Sequence, residues 1–570
     1  MKTTIKEIFQ EEGYSIPNYQ RDYAWKDKNF RDLWEDLEEA IDYNKKGQGH
    51  FIGTMVVAKN EDNEKLYDII DGQQRTTTIF MLLHVLANKQ NEEDRRETKI
   101  KYLYQKEELK LEVAPENQSF FKALLEAAEK GNISHCEKDA DTEGKQNLFE
   151  VLKAILDQVS KLNKEEVNKR LEALLEMVLM RLEEPDPGRA IRTFQSVNDR
   201  GVPLLLLDKL KSLLIYYSNT FCDGKKGLDQ FINDHFGEIF KIFAKIKKSN
   251  HISSVGGSDF NEGDIFRYHA GSQRFDGIEF FGNYDTGTEY TYEQLKDKLK
   301  KVEKNKLENF IQSYVSDLKN FYQAFLDLLS EIDTNPTTFK VMLINTINPL
   351  FFNSLIRLKI NNELDDETLR LFAKTNILLF KVGREMRSVA YNLINAYLQK
   401  GKEGLKSKMI AQCKKDIDIE QASWNLVNNA SNSSCFHYVF FEKNCQEMGF
   451  ADLKKLIRGK QLSQEKEHII PINLLKSDNE IEIQKLGFED KEDLRAYINK
   501  YGNLISLEKS LNLKASDRDL YEKDEIYKSS EIPFNRRFDT KNFNKEALKK
   551  RNDEMRDWLI NTFFKDFIAH

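Results

Sequence analysis

Apolar positions along this chain change period several times, and each change marks an element. Phe30, Leu33, Trp34, Leu37 and Ile41 recur at helical spacing and predict a helix over 30–43. Phe51-Ile52-Gly53-Thr54-Met55-Val56-Val57 is a continuous apolar run of the buried-strand type, and Leu66 to Ile70 is a second. A charged, hairpin-like turn joins them. Helical spacing then returns with Ile79, Leu82, Leu83 and Leu86. The polar run Asp71-Gly72-Gln73-Gln74-Arg75 therefore sits where a strand hands over to a helix.

Further on, Asn91 to Arg96 and Glu137 to Lys145 read as solvated helices and a loop. Met177 to Leu182 reads as a strand, and Pro185-Asp186-Pro187-Gly188 as a turn. A short helix follows over Ala190 to Val197, stopped by Asn198-Asp199-Arg200-Gly201, with another from Leu204 to Leu214. Leu307, Ile311, Tyr314, Leu318, Phe321, Phe325 and Leu328 alternate steps of four and three, the seam of a long amphipathic helix in a bundle core. Helices are expected near 350–360, 366–380 and 385–399, and Ser253 to Gly257 and Gly282 to Gly287 read as loops. The expected organisation is an N-terminal domain over 1–225, a helical middle domain over 226–405 and a C-terminal domain over 406–570. The fold class is α+β, predominantly helical.

Composition adds bounds. A chain of 570 residues with 40% apolar and 32% charged positions has material for several cores. The start, Met1-Lys2-Thr3-Thr4-Ile5-Lys6-Glu7, has no apolar h-region, and no run approaches the roughly 18 apolar residues of a bilayer span. A cytoplasmic location without a membrane partner is expected. The five cysteines, Cys136, Cys222, Cys413, Cys435 and Cys445, form no CxxC pair, which fits a reducing compartment and argues against a zinc clip. Cys435 and His437 lack a complementary ligand pair, so they read as buried or incidental side chains. A net charge of −7 does not advertise a nucleic-acid binder, but a local basic surface is enough for one.

Three stretches carry candidate chemistry near the N-terminus. In Asp71 to Arg75, Gly72 allows a tight turn, and the helix start offers unpaired N–H groups suited to a phosphate. Arg75 adds a planar, permanently charged fork. The Gly-Lys-Ser/Thr ending of a Walker loop is missing, and an ordinary strand–turn–helix with a surface arginine fits the same residues. The second stretch is Ile16-Pro17-Asn18-Tyr19-Gln20-Arg21-Asp22-Tyr23-Ala24-Trp25, where Gln20 and Arg21 stand among aromatics. The third is Phe194 to Leu204, where Asn198 and Arg200 either reach a cleft or serve helix-stop chemistry. Near the C-terminus, Glu467-His468-Ile469-Ile470-Pro471 is followed by Gly502-Asn503-Leu504-Ile505-Ser506-Leu507 and then Asn512.

In order and spacing, the first three stretches resemble the N-terminal domain of GmrSD-type modification-dependent (type IV) restriction enzymes, over roughly the first 220 residues. That domain is similar to the ParB/sulfiredoxin fold and is associated with nucleotide binding and hydrolysis. The resemblance implies an NTP site, ATP or GTP, built from Asp71, Gly72, Gln73, Gln74 and Arg75, with Gln20 and Arg21 facing the same cleft. The C-terminal stretch resembles an HNH (ββα-metal) nuclease core, over roughly 410 to 565, with the tail from Phe543 to Trp558 and its Arg551 matching the helix that follows. On that resemblance His468 is a general base, and Asn503 orients its ring. Glu467 and Asn512 are oxygen ligands for Mg²⁺ or another divalent cation. Two features depart from many HNH proteins: Asn rather than His at 512, and no flanking cysteine pairs. Lys514, Arg518, Lys523, Arg536 and Arg537 either contact phosphate or form a solvated face.

The reading that follows is a modification-dependent DNA endonuclease in anti-phage defence, with nucleotide and modified phage DNA as partners. A nucleotide-binding sensor with a degenerate nuclease half, and a nonspecific nuclease or RNase toxin, are the alternatives. Which modification is sensed, ATP or GTP, the role of the middle domain and the oligomeric state are not readable from the chain.

Overall fold

The computed structural model describes the chain apart from residues 1, 18–19, 21, 45–49, 61–62, 64, 185–205, 223–224, 273, 276–277, 280–286, 384–387, 459–460, 477–479 and 569–570. The chain divides into two compact units, Met1–Ala244 with Leu295–Lys319, and Lys245–Gln294 with Asn320–His570. The middle region 226–405 is thus shared between them.

The first unit holds a six-stranded mixed sheet of β1 (Lys2–Thr4), β2 (Gly13–Ser15), β3 (Phe51–Lys59), β4 (Leu66–Asp71), β5 (Leu111–Glu112) and β6 (Val178–Glu184). Their order is β1-β6-β3-β4-β2-β5. Strands β3 and β4 are the expected antiparallel hairpin, while β3–β6 and β2–β4 run parallel. Its helices include α1 (Asp27–Asn44), α2 (Gln73–Lys89), α3 (Pro115–Glu129), α4 (Glu143–Ser160) and α5 (Leu206–Phe221). Helix α2 packs against α3, α4 and the helix Lys164–Glu176, and is buried on nearly every side. Three successive threonines survive there because Thr76, Thr77 and Thr78 donate to the carbonyls of Gly72, Gln73 and Gln74 one turn back.

The expected turn, helix and helix stop over 185–201 lie outside the described residues, whereas Leu206 to Leu214 are helical in α5. The seam becomes α6 (Lys304–Glu331), and Leu307, Ile311, Tyr314, Leu318, Phe321, Phe325 and Leu328 are all buried. Ser253 to Gly257, expected as a loop, begins with a one-turn helix at Ile252–Val255. The helix expected over 366–380 is α-helical over Asp366–Asn376 and widens into a π turn at Ile377–Val382.

Most of the second unit is helical, with a two-stranded antiparallel pair, β7 (Gln464–His468) and β8 (Leu504–Glu508), followed by α7 (Lys509–Ala515), α8 (Leu520–Lys528) and α9 (Lys545–Trp558). The fold is α+β and predominantly helical. Among the described residues, no helix is long and apolar enough to cross a membrane.

Candidate functional sites in the two units

In the first unit the β4–α2 junction turns on Gly72, at φ 91° and ψ 4°. A Cβ there would meet the Thr54 carbonyl at 3.2 Å, so both the backbone angle and the close approach of β3 call for glycine. The motif residues then divide by helix face. Residues two apart on a helix point to nearly opposite sides, while 73 and 77 share one. Arg75 turns to β3, where Nη1 donates to the Thr54 carbonyl at 3.4 Å and the guanidinium lies over Gly53. A Cβ on Gly53 would come within 2.8 Å of it. Burial holds the Arg75 pKa below its ordinary value, opposed by Asp71 and Asp36.

Gln73 and Gln74 face the other way, into a cavity also lined by Asp22, Asn117 and Thr77. Gln74 is spent on the fold: Oε1 accepts from Ala24 N at 2.7 Å and Nε2 donates to the Asp22 carbonyl at 3.1 Å. Gln20 clasps β4, Nε2 donating to the Ile70 carbonyl at 2.7 Å. Three amide oxygens here, Gln20 Oε1, Gln73 Oε1 and Asn117 Oδ1, are buried without a hydrogen-bond partner among the described residues. The Asn117 orientation is fixed, because Nδ2 donates to Asp22 Oδ1 and a carboxylate only accepts. Burial, and then the charge of Glu116, push the Asp22 carboxyl up to about 6, with Lys211 opposing. Arg21, Asn198 and Arg200 lie outside the described residues. Asp22 and Asn117 were not among the sequence candidates. Asp22 sits inside the quoted Ile16–Trp25 stretch, whereas nothing near Asn117 pointed to a site.

In the second unit, β7 and β8 pair with His468 opposite Leu504, Glu467 opposite Ile505 and Glu465 opposite Leu507. With α7 the order is strand, strand, helix. Alternation along β7 puts Glu465 and Glu467 on one face, and Lys466 and His468 on the other. Helix α7 brings Asn512 to the first face, where Nδ2 donates to Glu465 Oε2 at 2.8 Å. Helix α8 brings Lys523 and Tyr527, one turn apart. Lys523 Nζ lies 2.6 Å from Glu467 Oε1 and donates to the His468 carbonyl, and Tyr527 OH donates to the same Oε1 at 3.1 Å. Lys523 therefore neither faces phosphate nor belongs to a solvated surface, the two roles expected of it. Lys514 is exposed, Arg518 pairs with Glu522, Arg537 pairs with Glu447, and Arg536 donates to the Ser530 and Glu531 carbonyls.

The His468 ring is half-buried, with Nε2 3.2 Å from Asn499 Oδ1. Burial holds its pKa below the ordinary imidazole value; Lys523 and Lys466 add to this and Asn499 opposes it. The ring is thus neutral near pH 7, the form that can accept a proton. Asn503 does not orient this ring. Its Oδ1 accepts from Ile470 N at 2.8 Å, and Nδ2 donates to the Ile470 and Ile498 carbonyls at 3.1 and 2.9 Å. It is a buried clamp on the chain just past His468, and Asn499 is the residue at the ring. Behind it, Gly502 N donates to Asn552 Oδ1, and a Gly502 Cβ would meet the Leu548 carbonyl at 2.3 Å, so α9 packs on bare backbone. Arg551 on α9 donates to the Gly502 and Leu504 carbonyls, and burial holds its pKa down to about 10.

Asn512 Oδ1 and the Glu467 carboxylate are oxygen donors of the kind a hard divalent cation takes, but among the described residues no group of three or more His, Cys, Asp or Glu side chains gathers to hold a metal ion. Asn512 Oδ1 is buried with no hydrogen-bond partner among the described residues, and the Glu467 carboxylate belongs to the strand face on which Asn512 docks. Glu467 Oε1 is meanwhile committed to Lys523 and Tyr527. Cys435 and Cys445 are buried thiols, and His437 Nδ1 contacts Ser506 Oγ at 2.8 Å.

Comparison with known protein families gives two matches. A model described as the GmrSD restriction endonuclease N-terminal domain matches residues 5–215. One described as the GmrSD restriction endonuclease C-terminal domain matches residues 414–558. Together they cover more than half of the chain. Comparison with curated proteins finds no match.

Proposed function

The chain belongs to the GmrSD restriction endonuclease family, and from that premise we propose that it is a Mg²⁺-dependent DNA endonuclease of HNH type, acting on modified phage DNA under nucleotide control. The observation that carries the proposal is the His468 imidazole, kept neutral at the end of β7 beside a strand face bearing Glu467 and Asn512. With Nε2 donating to Asn499, Nδ1 keeps the lone pair that takes a proton from the attacking water. Asn503 holds the backbone at Ile470, just past the base, and Arg551 holds the carbonyls of Gly502 and Leu504, the residue paired with His468 across β7–β8. Glu467 and Asn512 Oδ1 would hold the metal, which supplies charge stabilisation at the phosphate and the leaving oxygen.

In the first unit, phosphates would meet the start of α2 past Gly72, near Asp71 and Arg75. Within Asp71 to Arg75, Gln73 has a side-chain oxygen with no partner among the described residues, which makes it available to the rest of a nucleotide. Gln20 and Gln74 serve the same site by holding its walls. ATP and GTP both fit this description.

A second reading, a nucleotide sensor with a silent nuclease half, draws support from the Glu467–Lys523 ion pair. One assay separates them: purified protein with modified and unmodified phage DNA, with and without Mg²⁺, and with ATP, GTP or neither. Metal-dependent cutting of modified DNA that responds to a nucleotide supports the nuclease reading in full. Cutting that ignores modification or nucleotide retains the nuclease and removes the sensor, and no cutting under any condition favours the silent form.

A further inference from the structure

Lys523 is 0% and Glu467 3% exposed, an ion pair wholly enclosed in the second unit. A buried charge is kept only where its partner compensates the lost water, and here the compensation is mutual. The ammonium reaches Glu467 Oε1 and the His468 carbonyl, so it touches the candidate metal ligand and the peptide that carries the candidate base. Tyr527, one turn along α8, fills a second lone-pair direction of the same oxygen. Across the face, Asn512 donates its amide hydrogen to Glu465 while Oδ1 stays unpartnered. Asn512 Oδ1 is therefore buried without a partner among the described residues, whereas Glu467 Oε1 is held by a protein cation.

We propose that Lys523 is a resident cation that competes with the divalent metal for Glu467, so that the site binds metal only when the ammonium leaves the carboxylate. A divalent ion on that carboxylate would stand within a few ångströms of the ammonium. Repulsion between like charges that close, away from bulk water, exceeds thermal energy many times over. Lys523 is a positioning residue on this account: it holds Glu467 and the His468 peptide in place in the metal-free protein and sets the metal affinity low. The inference rests on the metal-dependent reading of this site.

The test is calorimetric titration of the full chain with Mn²⁺, comparing wild type, Lys523→Met, Glu467→Ala and Asn512→Ala. The expected result is weak binding by wild type, at least roughly tenfold tighter binding by Lys523→Met, and loss of binding in the other two. A merely structural lysine would leave the affinity unchanged or weaken it, and either result overturns the proposal. If Lys523→Met binds like wild type while Glu467→Ala and Asn512→Ala lose the metal, the metal site stands and the competition falls. If no variant binds, the metal reading falls with it. Should Lys523→Met fail to fold, residue-resolved amine labelling of the wild type with and without saturating Mn²⁺ gives the same decision. Lys523 should become reactive with metal present, and unchanged protection would overturn the proposal.

Discussion

The two candidate sites use their motif residues in opposite ways. Around the β4–α2 junction the polar side chains leave acceptors over: Gln20, Gln73 and Asn117 each bury an oxygen without a partner among the described residues, and the Asp22 carboxyl there has a raised pKa. At the β7–β8 pair the carboxylate is taken by a protein cation, and one amide oxygen is left. The first site leaves acceptors without donors among the described residues, and the second pairs its carboxylate with a buried cation. In both, most motif residues build the walls. Gln74 and Asn503 spend their side chains on backbone groups, so the proposed chemistry falls to Gln73 and Arg75 in one unit and to His468, Glu467 and Asn512 in the other.

This division can be broken by substitution. Asn503→Ala removes three hydrogen bonds and leaves the Ile470 N–H and two carbonyls buried, which should cost the second unit about 3 kcal/mol or more. Gln74→Ala removes the bonds to Ala24 and Asp22 and should cost the first unit about 2 kcal/mol. Hydrogen-exchange protection, read separately in each unit, checks both. Loss of protection in the wrong unit, or in neither, would undo the assignment of these residues as walls.

Acidity sharpens the comparison further, with a smaller effect. Asp22 has its carboxyl pushed up to about 6 from an ordinary 3.8, so the folded first unit binds this proton more tightly than the unfolded chain. Its contribution is full below the unfolded value and is lost as pH rises through 6. His437 in the second unit is held down to about 4 from 6.5, by burial first and then by Lys466. Its contribution is full above pH 6.5 and is lost as pH falls towards 4. Going from pH 7 to pH 5 should therefore stabilise the first unit and destabilise the second, by roughly 1–2 kcal/mol each. Asp22→Asn and His437→Gln should remove the respective trends.

Much of this arrangement was legible in the chain. Periodicity placed the hairpin, the polar turn and the helix behind it, because apolar spacing reports burial directly. A strand–strand–helix order around His468 was implied by the resemblance to an HNH core, not by periodicity. The partners of the motif residues were not legible, because contact depends on elements distant in sequence. Lys523 reaches Glu467 from α8, and Asn117 reaches Asp22 from α3. Adjacent residues on a strand point to opposite faces, so Glu467 and His468 can serve one site only around the end of β7, where the strand stops at His468 and the chain bends. Asn503 was expected at the ring because its amide suits that bond, but its amide is taken up by the buried backbone groups of Ile470 and Ile498.

The most direct measurement is single-turnover cleavage of modified phage DNA, paired with thermal melting, for wild type and His468→Ala. The imidazole is half-buried with one long contact at 3.2 Å, so its removal should leave melting nearly unchanged while cleavage falls by at least about a hundredfold. A His468→Ala protein that melts like wild type and still cuts at the wild-type rate would contradict the account.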